Sequence, residues 1–132
     1  MPHIISRFCA AFAAASLLTV SAVQAGEADY AFELVETVYS VSDNAVLTLR
    51  LTDLRSQQPV EGAIIFATRV DMEPDGMAMM ASQITALPVE TPGEYRFATD
   101  LSMEGNWQIS VAAKVQGEAE TVQARIVIEV QE

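Results

Sequence analysis

From residue 28 onward, apolar and polar residues alternate with period two far more than they recur at helical spacing. That is the pattern of strands with one buried face. The clearest case is Ala45–Asp53, where Leu47, Leu49 and Leu51 point one way and Thr48, Arg50 and Thr52 the other. "YAFELVETVY" (Tyr30–Tyr39) predicts a strand before it, and "AIIFATRVD" (Ala63–Asp71) one after the turn-like "LRSQQPVEG" with its Pro59 and Gly62. "SQITALPVE" predicts a fourth strand, and "TPG" (Thr91–Gly93) turns the chain into "EYRFATDL", with Tyr95, Phe97 and Leu101 inward. Trp107–Val115 and "TVQARIVIEV", with Val122, Ile126 and Ile128 inward, complete a set of seven. Short strands at this spacing, without a helix, predict an all-β fold: an antiparallel β-sandwich of immunoglobulin-like type. Met72–Ala81 contains Pro74 and Gly76, both poor in a central strand, and is expected to be a loop.

The first 25 residues stand apart from this pattern. Arg7, the apolar "FCAAFAAASLLTVSA" and the small-residue end "VQA" have the form of an export signal cleaved after Ala25. The expected division is a signal peptide over residues 1–25 and one domain over residues 26–132, periplasmic and not inserted in the membrane after cleavage. An uncleaved N-terminal anchor is the alternative. Cys9 and His3, the one cysteine and the one histidine, leave with the leader. Disulfides, thiolate metal sites, catalytic thiols and histidine bases are then excluded. No carboxylate pair stands out in an apolar context, so an enzyme is not expected.

Losing Arg7 leaves 6 basic and 18 acidic residues, a formal charge of −12. Nucleic acid and anionic lipid are poor partners for such a body, whereas cations or a basic protein face suit it. Solubility alone also accounts for an acidic surface. The oligomeric state is left open by the sequence.

Charge matters most where the methionines are. Met72, Met77, Met79 and Met80 fall within nine residues, "DMEPDGMAMM", and Met103 follows in "DLSMEGNW". Thioethers are soft donors, never protonated in the physiological range, and suit Cu(I) or Ag(I). Methionine is equally a flexible core filler, so each of the five has a packing role as its alternative. Strand parity bears on the choice. With each of the seven strands opposing the last, the third-to-fourth and fifth-to-sixth connections share one rim, which brings Met103 to the cluster. Asp71, Glu73, Asp75, Asp100 and Glu104 surround that rim, and Trp107 starts the strand beneath it, as a core residue or as a face for a cation. A Met-rich rim is also a plausible adaptable contact surface for a protein.

"TRVDMEPDGMAMM", together with "PGEYRF", "DLSMEGNW" and "AAKVQGEAETV", resembles the YtkA-like domain of exported bacterial proteins of FixH type, over Tyr30–Val130. The resemblance implies an immunoglobulin-like sandwich at the periplasm or cell surface that serves metal efflux or cuproenzyme assembly. The ligand set it implies is Met72, Met77, Met80 and Met103, with Met79 as a substitute. FixH-type proteins usually keep a membrane helix, and here the leader is the one candidate.

Overall fold

The computed structural model describes residues 29–132. Ten strands form two facing sheets. The first sheet has β1 (Tyr30–Leu34), β3 (Ser42–Asp53), β8 (Glu94–Leu101) and β7 (Ile84–Ala86) in that order, with the two-residue β4 (Gln58–Pro59) also on β3. The second runs β2 (Val38–Ser40), β10 (Thr121–Gln131), β9 (Gly105–Lys114), β5 (Ile64–Met72) and β6 (Met77–Ser82). The orders β1-β3-β8-β7 and β10-β9-β5 are those of an immunoglobulin sandwich. Among the described residues no helix is long and apolar enough to cross a membrane. The leader expected over residues 1–25 lies outside the described residues.

Alternation builds the core. Leu47, Leu49 and Leu51 of β3 are fully buried, facing Val70 and Met72 of β5, Trp107 and Ile109 of β9, and Val122 and Ile128 of β10. The expected inward positions at Tyr95, Phe97 and Leu101 are buried as well.

Ten strands replace the seven expected because three segments behave differently. Tyr30–Tyr39 is not one strand: β1 ends at Leu34, and β2 pairs with β10 in parallel on the opposite sheet. The crossing is held from both sides. Val35 N–H donates to the Thr48 carbonyl of one sheet, and Glu129 N–H of the other donates to the Thr37 carbonyl. Met72–Ala81 is not a loop: it holds a one-turn 3-10 helix, Glu73–Asp75, and most of β6. "SQITALPVE" shrinks to the three residues of β7, while Gln58–Pro59 adds a strand inside the expected turn.

One end of the sandwich is closed by phenols. The Tyr95 hydroxyl donates to the Val60 carbonyl at 2.7 Å and accepts from Ala63 N–H at 3.0 Å. Gly93, at φ +81°, has no room for a side chain because Pro59 lies against it. The Tyr30 hydroxyl donates to Glu118 at 2.6 Å, and Arg55 joins that oxygen, the Asp53 carboxylate and the face of the Tyr30 ring, 5.4 Å from its centroid. Burial first, then Glu118, pushes the Tyr30 phenol up to about 12. The hydrogen bonds from Arg55 hold Asp53 below the usual carboxylate range. The opposite end carries the methionines.

Candidate functional site

Strand β5 delivers Met72 by continuing its inward alternation from Val70, so Met72 is a core residue with no exposed surface. The chain then reverses through Glu73–Asp75. Pro74 is tolerated at the start of this 3-10 turn, and Gly76 at φ +74° closes it in the left-handed region. Returning as β6, the chain pairs Met77 with Met72, yet Ala81 with Asp71 and Ser82 with Val70. The residues between Met77 and Ala81 therefore bow out of the ladder as a bulge. Met79, at the tip of the bow, is 91% exposed. The Arg69 guanidinium clamps the bow by donating to the Ala78 carbonyl at 2.7 Å.

Asp75 fastens this turn to β9. Its carboxylate accepts from Asn106 N–H at 2.8 Å and from the Asn106 side-chain amide at 3.0 Å. Those two bonds, the backbone one foremost, hold Asp75 below the ordinary carboxylate range. The Met72–Met80 segment and the Met103 connection thus share one rim, as strand parity predicts. Gly105 is required where they touch. At φ +136°, a Cβ there would lie 2.5 Å from Asp75 Oδ2 and 2.6 Å from Met72 Cε.

A cleft of about 280 Å³ opens at this rim, between β6 and the end of β8. Met80, Ser82, Gln83, Asp100 and Ser102 line it, and Trp107 contributes to its wall. Trp107 is 1% exposed, so it is the core aromatic that one reading of the sequence expected. Its indole N–H donates to the Met103 carbonyl at 3.0 Å, which ties the Met103 connection to the cleft. Met80 and Met103 are 40% and 38% exposed. Met77 is half-buried and packs against the core.

The five methionines therefore divide. Met72 and Met77 belong to the interior, Met80 lines the Trp107 cleft, Met103 is half-exposed with its carbonyl bonded to Trp107, and Met79 points away from the body. Sequence reasoning placed all five on one rim with a packing role open for each, and Met72 takes the packing role. The alternation Val70-x-Met72 carried that signal. Ser82, Gln83 and Ser102 were not singled out, and short polar residues in those segments carry no distinctive pattern.

The acids also divide. Asp71 is buried, with one oxygen taken by Arg69 Nε at 2.6 Å and the other by Glu73 N–H at 3.0 Å. Asp100 lines the cleft, whereas Glu73 and Glu104 are exposed. Among the described residues no three His, Cys, Asp or Glu side chains are grouped to hold a metal ion.

The family model for YtkA-like proteins matches residues 24–112. The chain belongs to the YtkA-like family. The match takes in the methionine turn, "PGEYRF" and "DLSMEGNW", and ends inside β9, before "KVQGEAETV". No curated protein matches this YtkA-like chain. Among solved structures it is similar to the Lin-41 filamin domain, at 16% identity over 76% of this chain and 91% of that one, TM-score 0.48. It is also similar to the ZirS C-terminal domain, at 17% identity over 80% and 67% of the two chains, TM-score 0.42.

Proposed function

We propose that this YtkA-like domain is an exported, non-enzymatic accessory module that binds Cu(I) or Ag(I) at the Trp107 cleft, with Met80 and Met103 as the accessible thioether donors. It would pass the ion to a metal-efflux or cuproenzyme-assembly partner, the setting that its FixH-type resemblance suggests. The observation that carries this reading is that Trp107, in the wall of the cleft that Met80 lines, donates to the Met103 carbonyl and so draws a half-exposed methionine distant in sequence to the same rim. Met77 lies behind them as a reserve donor, and Met72 is dropped from the ligand set because its sulfur is inside the core. Two soft ligands favour low-coordinate Cu(I) and leave room for ligand exchange with a partner. The acidic rim raises the local concentration of any cation.

Trp107 is the one tryptophan, so its fluorescence reports on the cleft directly. Titrating the purified chain with Cu(I) under reducing conditions should quench it at one ion per chain. The double variant Met80→Leu/Met103→Leu should lose that response while its far-UV dichroism is unchanged. Equal Cu(I) affinity in wild type and double variant would end this assignment.

A second reading rests on Met79, 91% exposed in an edge strand: a bare apolar contact point for a protein. Leucine keeps apolar area but not soft-metal affinity. Partner binding that survives the leucine changes, without any Cu(I) binding in the wild type, would select this alternative.

A further inference from the structure

The outer face of the β2-β10-β9-β5-β6 sheet has an ordering of charge that the metal reading does not use. On β10, Ile128 and Val130 are buried, so Arg125, Val127 and Glu129 alternate outward. Strand pairing extends each of them into a row across the sheet. Arg125 lies beside Ser110, which lies beside Arg69. Val127 lies beside Gln108, then Asp71. Glu129 lies beside Asn106, which is bonded to Asp75. Arg69 and the buried Asp71 neutralise each other, so Arg125 gives one outer row its net positive charge, Glu129 gives the other its negative charge, and the Val127 row between them is close to neutral. Successive rows are about 7 Å apart.

Each charged row has its own hollow. Arg69 and Arg125 border one of about 230 Å³ with Ser110 and Ala112 between them. Glu104 and Glu129 border another of about 340 Å³ beside Asn106. Of the two cations at the first, Arg125 is the available one. Among the described residues Arg50, Arg55, Arg69 and Arg96 all make ion pairs, whereas Arg125 makes none. Val127, between the hollows, leaves half of its surface, 51%, in solvent.

From this arrangement we infer that the face binds a second copy of the same chain. A two-fold axis parallel to the sheet and midway between the two copies, running across the strands over the Val127–Gln108 row, turns the basic row onto the acidic one. Arg125 then meets Glu129 of the second copy, the reverse pair forms at the same time, and the two Val127 side chains meet at the axis. An isologous contact requires this self-complementarity. Two sheets face each other at about 10 Å, a gap that an arginine and a glutamate bridge together. Overall repulsion between two acidic bodies opposes the contact, but it acts over distances longer than the screening length of about 8 Å at physiological salt, whereas the pairs act within it. The outer face is separate from the Trp107 cleft, so this contact and the metal site stand or fall independently.

Sedimentation of the purified full chain at physiological salt tests the contact. The wild type should show a concentration-dependent dimer. Arg125→Glu and Glu129→Arg should each weaken it at least tenfold by setting like charges against each other. The charge-swapped double variant, Arg125→Glu/Glu129→Arg, should restore the dimer because complementarity returns with the polarity reversed. Circular dichroism of each variant checks that the sandwich is intact. A wild type that stays monomeric at millimolar concentration overturns the inference. So does a dimer indifferent to both single changes, or a double variant no better than either single one. Saturable binding of inorganic phosphate at Arg69 and Arg125 by a strictly monomeric chain also overturns it.

Discussion

The two ends of the sandwich are closed by opposite means. At the Tyr95 end, aromatic rings are buried and their hydroxyls satisfy backbone and carboxylate groups, so apolar surface and polar bonds are spent on the same residues. At the methionine end, the polar bonds are made by Asp75 and Asn106, and by the Trp107 indole to the Met103 carbonyl, while the thioethers bring apolar surface alone. A hydroxyl specifies its partner and fixes an angle. A thioether specifies neither. The contrast separates an end held by directional hydrogen bonds from one filled largely by flexible apolar side chains.

The largest test of that contrast lies at Met72, the methionine of that end with no exposed surface. Met72→Ala should destabilise the domain by about 2–5 kcal/mol, the usual cost of emptying a buried large apolar site. Urea unfolding measures it, and a loss under about 1 kcal/mol would mean that the rim tolerates collapse where a core does not. Next in size is Tyr95→Phe at the other end. It strands the Val60 carbonyl and the Ala63 N–H, with an expected loss of about 1–3 kcal/mol by the same measurement.

Solution pH then separates the phenols from the carboxylates by sign. The folded Tyr30 phenol sits at about 12, above its unfolded value of about 10, so its contribution is complete below the unfolded value and drains as pH rises through the folded one. Asp75 is depressed, so its contribution is complete above the unfolded value of about 4 and is lost as pH falls through the lower folded value. Asp53 behaves like Asp75, so the acid limb belongs to both ends. Tyr39, also raised to about 12 mainly by burial, shares the alkaline limb. Melting temperature followed from neutral to alkaline pH should fall less steeply in Tyr30→Phe than in the wild type. Identical slopes would remove Tyr30 from the account.

The smallest effect belongs to Met79. Met79→Ala should move stability by less than about 0.5 kcal/mol in the same urea experiment, since the side chain touches little. A larger loss would put the bow of β6 on the packed side of the comparison.

The sandwich and the shared rim were legible in the sequence because alternation and strand parity are properties of the chain itself. Leu47, Leu49 and Leu51 fix a buried face by spacing alone, and Asp75 meets Asn106 where parity places them. What escaped depends on partners. "MAMMAS" has no alternation, and it becomes β6 because β5 offers a free edge across a tight turn. The break between β1 and β2 carries no glycine or proline at Val35–Thr37; hydrogen bonds to Thr48 and Glu129 decide it. Within the site, the residue types pointed to the thioethers, but their division into packed, flanking and projecting members comes from a bulge that the sequence does not announce.

The crossing of the chain from β1 to β2 has a mechanical consequence. Tyr30 enters at the phenol end, whereas β10, strapped between β2 and β9, finishes at the methionine end. The ten residues of β9 that separate these ends span about 33 Å. Any surface that gripped the protein through residues ahead of Tyr30 would therefore hold the thioether rim some three nanometres away, turned outward. The strap gives the domain a front and a back, and a direction in which it can reach.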